Sequence, residues 1–345
     1  MTDTQTTVLV TGASGFIAKH IVLDLLKKGY RVRGTVRDKA KGEAVRQTME
    51  ENGADPAGLD IAEADLGSDS GWAGAVAGCR FVLHTASPFP ISTPRDPDEI
   101  IVPARDGARR VVAAALDAGA ERVVLTSSMA AIAYGHPMER TAPYTADDWT
   151  RVDRPEVGAY VASKYHAEKA AWAVAAERGL EDRLAVINPA LVLGPILDAG
   201  HGTSVEIVRR LLTGKMPALP RVGFPVVDVR DVSAMHIAAM ETPAAGGQRF
   251  PCAGGFMWLE EIAEALRQGL PGQAGKVPRR RMPDWLVRAV ALFDRDIRTI
   301  AGDLGRVRVL DTSNARKRLG WQPRPDEEAV LAAARSLIDK GVVTV

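Results

Sequence analysis

Tyr160 and Lys164 stand four residues apart at the start of an alanine-rich run that contains no Pro or Gly until Gly179. Because residues four apart lie one turn apart on the same face of a helix, the two side chains are expected to be neighbours. A phenol has a pKa of about 10 on its own, and an ammonium group beside it lowers that pKa. The pair is therefore expected to act as a general acid/base tuned towards neutral pH. Any helix with a Tyr and a Lys can show this spacing, so its meaning depends on the rest of the chain.

A glycine-containing turn follows the first apolar run of the chain, residues 8–10. The run predicts a buried strand, and the turn opens onto a segment with the apolar spacing of a helix. Gly12 suits the tight turn, Gly15 lets the backbone approach a pyrophosphate at the helix N-terminus, and Ala18 permits close packing of the helix on the strand. Alanine at this third position is compatible with the dinucleotide-binding fingerprint. We therefore expect a nucleotide to bind at this turn.

The second predicted strand, residues 31–36, ends where an acidic residue would hold the ribose 2′-hydroxyl of NAD. Arg37 stands there, with Arg33 or Lys39 nearby. A guanidinium group binds a phosphate through two parallel hydrogen bonds, which favours the 2′-phosphate of NADP. Asp38 is the residue that argues for NAD, and we interpret it as a cap for the turn that follows.

Helical segments alternate with the strands in the first half of the chain, which predicts an open, mostly parallel sheet. Further strands are predicted over residues 59–64, 81–83, 122–126 and 183–187. Ligands bind to such sheets outside the carboxyl ends of the strands. Asp65 follows one of these ends, where it could accept a hydrogen bond from an adenine amino group or cap the next helix. His84 follows another, and we interpret it as a packed structural residue.

Two serines, Ser127 and Ser128, come directly after the strand that ends at Thr126. Since neighbouring side chains alternate between the faces of an extended chain, only one of them can point into a site at this edge. A serine hydroxyl there can hydrogen-bond a substrate oxygen. The irregular stretch 129–158 is long for a loop inside a compact domain, which favours a role in covering the substrate. It carries three aromatic residues that we expect to be exposable, Tyr134, Tyr144 and Trp149.

The alternation of strands and helices weakens after Gly194, which predicts two parts of unequal size. Residues 1–190 are expected to form an NADP-binding, Rossmann-type, doubly wound parallel sheet, with residues 226–253 returning to it. Residues 191–225 and 254–345 are expected to form a smaller C-terminal α/β lobe that binds the substrate, with the active site between the two. In this half, helices are predicted over residues 204–212, 231–240, 260–268, 283–293, 311–320 and 327–339.

The composition argues against several kinds of partner. The chain has 345 residues and a net charge of +1, which gives no electrostatic reason to bind nucleic acid or a membrane surface. The two cysteines, Cys79 and Cys252, are far apart and form neither a disulfide framework nor a metal-binding pair, so no metal is expected. Residues 1–7 are polar, and no apolar run reaches the length of a membrane span. We therefore expect a cytoplasmic protein without a signal peptide.

These motifs, in this order, resemble those of the extended short-chain dehydrogenase/reductases. The resemblance is carried by Thr11–Ala18, Val36–Asp38, His84–Pro88, Thr126–Ser128, Tyr160–Lys164, Asn188–Ala190 and Leu319–Trp321. Within this family the chain is most similar to the dihydroflavonol-reductase-like branch, and there to microbial NADPH-dependent aldehyde, ketone and methylglyoxal reductases. The segment Tyr160–Trp172 is its most diagnostic part. The resemblance implies a Rossmann fold, NADP(H) as the cofactor and a small-molecule carbonyl compound as the substrate.

The resemblance also implies roles for individual residues. Tyr160 is the acid that protonates the carbonyl oxygen during reduction, and Lys164 lowers its pKa and holds the nicotinamide ribose. Ser128 matches the second serine of the family pattern and hydrogen-bonds the same oxygen, so that Ser128 and Tyr160 together hold the developing alkoxide. The hydride comes from the cofactor. The implied cofactor-binding residues are Gly12, Ser14, Gly15, Phe16, Ile17, Arg37, Lys39, Asp65, Leu66, Thr85, Ala86, Ser87, Thr126, Tyr160, Lys164 and Pro189.

The chain departs from related enzymes in ways that narrow the expected reaction. Met129–Ala130 stands where nucleotide-sugar dehydratases have an acidic pair, and Tyr134–Gly135 comes two positions later than the Tyr-Gly pair of epimerases. Ala133 replaces the asparagine of plant dihydroflavonol reductases, which argues against a flavonoid substrate. Val157–Tyr160 replaces the Asn-Trp-Tyr-Cys-Tyr motif of cinnamoyl-CoA reductases, which argues against acyl-CoA reduction.

We therefore expect an NADPH-dependent reductase that converts aldehydes or ketones to alcohols, as a monomer or homodimer. One alternative is an NAD(P)-dependent sugar epimerase or a 3β-hydroxysteroid-type dehydrogenase on the same fold. Another is an NADP(H)-binding sensor that performs no chemistry. Such sensors often keep the glycine turn and lose the Tyr–Lys pair, whereas this chain has both.

Overall fold

A computed structural model describes residues 6–88, 96–292 and 301–344. Its strands are β1 (Thr7–Thr11), β2 (Arg31–Val36), β3 (Leu59–Glu63), β4 (Phe81–His84), β5 (Arg122–Thr126), β6 (Leu184–Pro189), β7 (Leu191–Leu193), β8 (Gly223–Asp228), β9 (Gln248–Cys252) and β10 (Phe256–Trp258). Seven of them form the main sheet in the order β3-β2-β1-β4-β5-β6-β9. Every neighbouring pair in this sheet is parallel.

Eleven α-helices lie in the described residues. In chain order they are α1 (Phe16–Lys27), α2 (Lys39–Glu51), α3 (Trp72–Val76), α4 (Asp98–Asp117), α5 (Ala159–Glu177), α6 (Val205–Leu212), α7 (Val229–Glu241), α8 (Leu259–Gly269), α9 (Asp284–Val290), α10 (Ser313–Leu319) and α11 (Asp326–Asp339). Six of them, α1 to α5 and α7, cover the two faces of the main sheet. The predicted helix over residues 283–293 corresponds to α9, and residue 293 lies outside the described ranges.

The main sheet separates two apolar cores. Val8 and Val10 pack into the core formed with α1, α2 and α7, whereas Leu9 between them packs into the core formed with α3, α4 and α5. Because neighbouring side chains enter opposite cores, a strand buried on both faces is apolar at every position. This explains the short apolar runs of the sequence and confirms the predicted Rossmann-type, doubly wound α/β fold.

A third core belongs to the C-terminal half of the chain. There β7, β8 and β10 form a small sheet in the order β10-β8-β7, in which β8 runs parallel to β7 and antiparallel to β10. Helices α6, α8 and α11 pack their apolar faces into the same core. The division of the chain into a dinucleotide-binding domain and a substrate-binding lobe stays a prediction.

Two strands differ from the sequence prediction. Residues 226–253 were expected to return to the main sheet, but β8 pairs in the small sheet, whereas β9 pairs with β6 and α7 packs into a core of the main sheet. β6 extends two residues further than predicted, to Pro189, which lies opposite Cys252. Since β5 ends at Thr126, opposite Ile187, no ladder hydrogen bond is lost at Pro189.

Candidate active site

A cleft of about 690 Å³ opens at the carboxyl ends of the main strands. Of the residues predicted to form the site, all but Lys39 line it: Gly12, Ser14, Gly15, Phe16, Ile17, Arg37, Asp65, Leu66, Thr85, Ala86, Ser87, Thr126, Ser128, Tyr160, Lys164 and Pro189. The fold thus brings together residues that are far apart in the sequence, because parallel strands all end at the same edge. Their roles in binding and catalysis stay predictions.

The glycine turn after β1 leaves little room for side chains at two positions. Gly12 has a φ of +66°, and a Cβ atom there would lie 3.0 Å from the Cβ of Ala86. A Cβ atom at Gly15 would lie 3.1 Å from the carbonyl oxygen of Gly12. Gly15 is the N-cap of α1, and no side chain of the described residues caps that end of the helix. Since the free N–H groups of a first helical turn attract an anion, this cradle fits the pyrophosphate of a dinucleotide.

Thr11 and His84 join the ends of β1 and β4 beneath the cleft. The Oγ1 of Thr11 lies 2.8 Å from the Nδ1 of His84 and accepts hydrogen bonds from the backbone N–H groups of Thr85 and Ala86. Burial lowers the pKa of His84 to about 3, with a contribution from the charge of Lys164. His84 is therefore neutral at physiological pH, which agrees with its interpretation as a structural residue.

Arg37 and Lys41 are exposed basic residues that line the cleft beyond the end of β2. The sequence prediction named Lys39, which does not line the cleft. Lys39 is the first residue of α2. Because two positions along a helix correspond to a rotation of about 200°, Lys39 and Lys41 point in nearly opposite directions.

Asp38 and Arg33 are both occupied by contacts within the protein. Asp38 is the N-cap of α2 and accepts a hydrogen bond from the N–H of Ala40 at 2.9 Å, as its interpretation as a cap requires. Arg33 donates to the carbonyl oxygens of Ala75 and Ala77 near the end of α3, at 3.0 and 2.7 Å. Of the basic residues near the end of β2, Arg37 and Lys41 are therefore the ones that remain available to bind a 2′-phosphate.

Two other predicted cofactor residues also have protein partners. Asp65 accepts a hydrogen bond from the N–H of Gly67 at 2.6 Å, so it stabilises the turn after β3. The hydroxyl of Thr126 lies 2.7 Å from the Nε2 of His236 on α7. Both residues still line the cleft.

Ser128, Tyr160 and Lys164 meet at one end of the cleft. The side chains of Ser128 and Tyr160 are hydrogen-bonded to each other. The Nζ of Lys164 donates to the Oγ of Ser87 at 2.9 Å and lies 5.8 Å from the centre of the Tyr160 ring. Ser127 points elsewhere, since its hydroxyl donates to Glu168. Two hydroxyl groups and a buried amine are thus available to one substrate oxygen and its surroundings.

The acidity of this pair differs from the sequence prediction. Burial raises the pKa of Tyr160 to about 12, the nearby Tyr134 adds to this rise, and the hydrogen bond with Ser128 partly opposes it. Burial also lowers the pKa of Lys164 to about 8. The expected lowering of the Tyr160 pKa by Lys164 is wrong for this state of the protein, because the loss of hydration raises the pKa and the group that opposes this rise is Ser128. Tyr160 is therefore protonated at neutral pH, which is the form that donates a proton.

The predicted substrate-covering stretch 129–158 is more firmly packed than its sequence indicates. Tyr144 is 1% exposed, and its backbone forms hydrogen bonds with Val309 and Asp311. The guanidinium of Arg140 lies 4.1 Å from the centre of its ring. Trp149 is also covered, by Lys169 at 3.8 Å and by a guanidinium group on β9. Neither aromatic ring lines the cleft, because both pack against other parts of the chain.

Replacing Tyr144 by Ala is expected to lower the free energy of unfolding by about 3–5 kcal/mol, since the change leaves a cavity in a packed region. The measurement is urea unfolding followed by circular dichroism. Trp285→Ala is the matched control, because Trp285 is 70% exposed and its loss removes little packing. If Tyr144→Ala changed substrate preference and left stability intact, Tyr144 would belong to the substrate site after all.

Sequence reasoning missed several residues of the cleft and its surroundings. Lys41 could have been found by asking which lysine of α2 lies on the helix face directed towards the cleft. Gly202–Ser204 also line the cleft, but they lie in an irregular stretch with no motif. Glu168 could have been noticed as the residue one turn beyond Lys164, whereas its partner Arg249 lies 81 residues away.

Residues 6–88, 96–292 and 301–344 contain neither a metal-binding cluster nor a membrane-spanning helix. No group of three His, Cys, Asp or Glu side chains in these ranges is arranged to hold a metal ion. None of the helices there combines the length and apolar character needed to cross a bilayer. Cys79 and Cys252 are both free and buried.

Comparison with known proteins relates this arrangement to a family. The model of the NAD dependent epimerase/dehydratase family matches residues 8–253. Cinnamoyl-CoA reductase 1 from Arabidopsis thaliana is 37% identical over 269 residues, which cover 77% of this chain and 75% of that protein. Ketoreductase azaE from Aspergillus niger is 34% identical over 324 residues, which cover 86% of this chain and 95% of that protein.

A solved structure extends the likeness to the whole fold. The crystal structure of yeast methylglyoxal/isovaleraldehyde reductase Gre2 complexed with NADPH superposes with a TM-score of 0.79 and 26% identity. The superposition covers 98% of this chain and 100% of that one. The range matched by the family model, residues 8–253, includes the glycine turn, the serines after β5 and the Tyr–Lys pair of α5. The chain therefore belongs to the NAD dependent epimerase/dehydratase family of extended short-chain dehydrogenase/reductases.

Proposed function

We propose that the protein is an NADPH-dependent reductase that converts an aldehyde or ketone to an alcohol. The observation that carries this proposal is the hydrogen-bonded pair of hydroxyl groups on Ser128 and Tyr160 inside the cleft, with Lys164 close by. Two hydroxyl donors that converge can bind one carbonyl oxygen and stabilise the negative charge that develops on it.

NADPH is the cofactor that the residues of the cleft fit. The cradle at Gly12 and Gly15 would hold the pyrophosphate, and the exposed Arg37 and Lys41 would hold the 2′-phosphate. The related yeast reductase Gre2 was crystallised with NADPH. When bound, the cofactor supplies the hydride that reduces the carbonyl carbon.

The proton comes from Tyr160. Its pKa of about 12 keeps the hydroxyl protonated at neutral pH, so it can donate a hydrogen bond and then a proton to the carbonyl oxygen. Ser128 donates to the same oxygen and holds it in place. The ammonium group of Lys164 favours the phenolate that Tyr160 becomes after it gives up its proton.

The rate of carbonyl reduction, as kcat/KM, is expected to fall as the pH rises through about 8, the pKa of Lys164. Below this pH the ammonium group is present and stabilises the Tyr160 phenolate, whereas above it the group is neutral and that stabilisation is lost. The measurement is the pH profile of NADPH consumption at saturating cofactor. A rate that stayed level well above the pKa of Lys164 would contradict this role.

Reduction of an acyl-CoA thioester is a second candidate, because a relative at 37% identity is named cinnamoyl-CoA reductase. Against it, Val157–Tyr160 stands in place of the family's Asn-Trp-Tyr-Cys-Tyr motif. The ketoreductase relative also matches over a larger share of both chains. We therefore favour the aldehyde or ketone. The cytoplasmic location and the monomeric or homodimeric state stay predictions.

The test is cofactor oxidation with NADPH and NADH in parallel, against small dicarbonyls, aryl aldehydes, β-keto esters, a dihydroflavonol and cinnamoyl-CoA. Turnover of an aldehyde or ketone with NADPH preferred is the expected result. Turnover of the thioester alone would favour the second candidate. Tight NADPH binding without any turnover would favour an epimerase or a sensor and contradict the proposal.

A further inference from the structure

A buried polar network lies beside Ser128, and the proposed mechanism does not use it. Its centre is Glu168 on α5, which is 0% exposed. One carboxylate oxygen, Oε2, accepts hydrogen bonds from the hydroxyl of Ser127 at 2.5 Å and from the Nδ2 of Asn188 at 2.7 Å. The other, Oε1, accepts hydrogen bonds from the Nε of Arg249 at 2.5 Å and from the Nε1 of Trp172 at 3.4 Å. The carboxylate thus joins α5 to the ends of β5, β6 and β9.

The contacts of Oε2 converge on the backbone of Ser128. Ser127 is its neighbour in the chain, and Asn188 also donates to the carbonyl oxygen of Ser128 at 3.2 Å. The Glu168 carboxylate is therefore connected, through Ser127 and Asn188, to the chain on both sides of Ser128. A change in this carboxylate would shift the Ser128 hydroxyl relative to the hydroxyl of Tyr160.

Helix α5 carries both the proposed acid, Tyr160, and the centre of the polar network, Glu168. Tyr160, Lys164 and Glu168 follow one another at intervals of four residues and so lie along one face of the helix. The same helix face thus presents the proposed acid and, two turns later, the residue that holds the serine next to it. Their spacing is fixed by the rigidity of the helix.

Arg249 and Glu168 are both buried, with side chains that are 8% and 0% exposed. A buried carboxylate without a partner is strongly disfavoured, and Arg249 is the cation that pairs with it. Arg249 also donates to the carbonyl oxygens of Ala146 and Asp148, at 2.5 and 2.7 Å. Its guanidinium lies 3.7 Å from the centre of the Trp149 ring. The ion pair therefore connects the stretch 129–158 to the backbone at Ser128.

We propose that Glu168, held by Arg249, is a positioning residue that places the Ser128 hydroxyl against Tyr160. Glu168 touches neither substrate nor cofactor and acts through Ser127 and Asn188. This inference rests on the proposed carbonyl reductase function, in which the Ser128 and Tyr160 hydroxyls bind one oxygen.

The first test compares Glu168→Gln with Asp231→Asn. Both changes turn a buried carboxylate that is paired with an arginine into an amide, but Asp231 pairs with Arg324 and does not line the cleft. The amide that replaces the Glu168 carboxylate must turn its NH₂ group either towards Arg249 or towards Ser127, so a donor on that side loses its acceptor. We expect Glu168→Gln to lower kcat by about 10- to 100-fold with NADPH affinity unchanged, since small misplacements at a reacting centre cost this much. Asp231→Asn should keep its kcat.

The second test does not depend on activity. Ser128 accepts hydrogen bonds from the backbone N–H of Ala130 at its Oγ and from that of Ala131 at its carbonyl oxygen. Glu168→Gln should speed amide hydrogen exchange in a peptide covering residues 127–133, measured by mass spectrometry, and Asp231→Asn should not. If Glu168→Gln does not fold, Ser127→Ala takes its place, because it removes one donor and leaves the ion pair intact.

The inference is overturned if the variant at Glu168 or Ser127 keeps both wild-type kcat and wild-type exchange. It is also overturned if Asp231→Asn loses as much kcat, since the effect would then be one of general stability. If the wild type reduces no carbonyl compound, that failure belongs to the proposed function. The exchange measurement then decides the inference alone.

Discussion

Tyr160→Phe is expected to lose about 10²–10⁴-fold in kcat, the range that a positioned general acid contributes. The change removes only the hydroxyl, so the ring still fills its place in the cleft. NADPH should bind as tightly as in the wild type, because the glycine cradle and the basic residues beyond β2 are untouched. The measurements are steady-state reduction of the best carbonyl substrate and NADPH binding followed by fluorescence.

Tyr165→Phe is the matched control for this loss. Tyr165 lies on the same helix, but its ring packs edge-on against Trp149 and does not line the cleft. Its hydroxyl has no role in the proposed reaction, so kcat should stay near the wild-type value. Full turnover in Tyr160→Phe would remove the acid from the mechanism, and equal losses in both variants would point to damage to the helix.

Arg37→Ala is expected to weaken NADPH binding by about 10- to 150-fold, which corresponds to the roughly 1.5–3 kcal/mol of a hydrogen bond to a charged group. NADH binding should change little, because NADH has no 2′-phosphate for Arg37 to hold. Lys41 lies on the same side of the cleft and should give a smaller effect of the same kind. Dissociation constants for both cofactors, measured at one salt concentration, give the comparison.

Arg33→Ala separates this effect from a general loss of positive charge. Arg33 is on β2, the strand that leads to Arg37, but its guanidinium is bound to the carbonyl oxygens of Ala75 and Ala77. Its removal should affect NADPH and NADH equally. If Arg37→Ala also weakened the two cofactors equally, the 2′-phosphate assignment would be wrong.

The fold could be predicted because local features of the sequence agree with one another. Val8–Val10 is apolar at every position because each neighbour enters a different core, and Gly12 follows where the chain must turn with positive φ. Placement of β8 could not be predicted in this way. Its residues would suit either sheet, and the choice depends on pairing with β7 and β10.

The site could be located because parallel strands bring their ends to one edge, and each predicted group follows such an end. Properties of the site that depend on packing with distant parts of the chain could not be predicted. The pKa of Tyr160 is set by burial among residues from several elements, and spacing from Lys164 says nothing about that burial. Tyr144 lies in a stretch whose sequence predicts a loop, but it is covered by residues 309–311, which are far along the chain.

The reaction itself is tested most directly by following deuterium into the product from NADPH that carries deuterium at both C4 positions of the nicotinamide. We expect an alcohol that carries one deuterium on the former carbonyl carbon, detected by mass spectrometry, and a large loss of this product with Tyr160→Phe. An alcohol without deuterium, or an epimerised substrate with no net oxidation of the cofactor, would contradict direct carbonyl reduction at Ser128 and Tyr160.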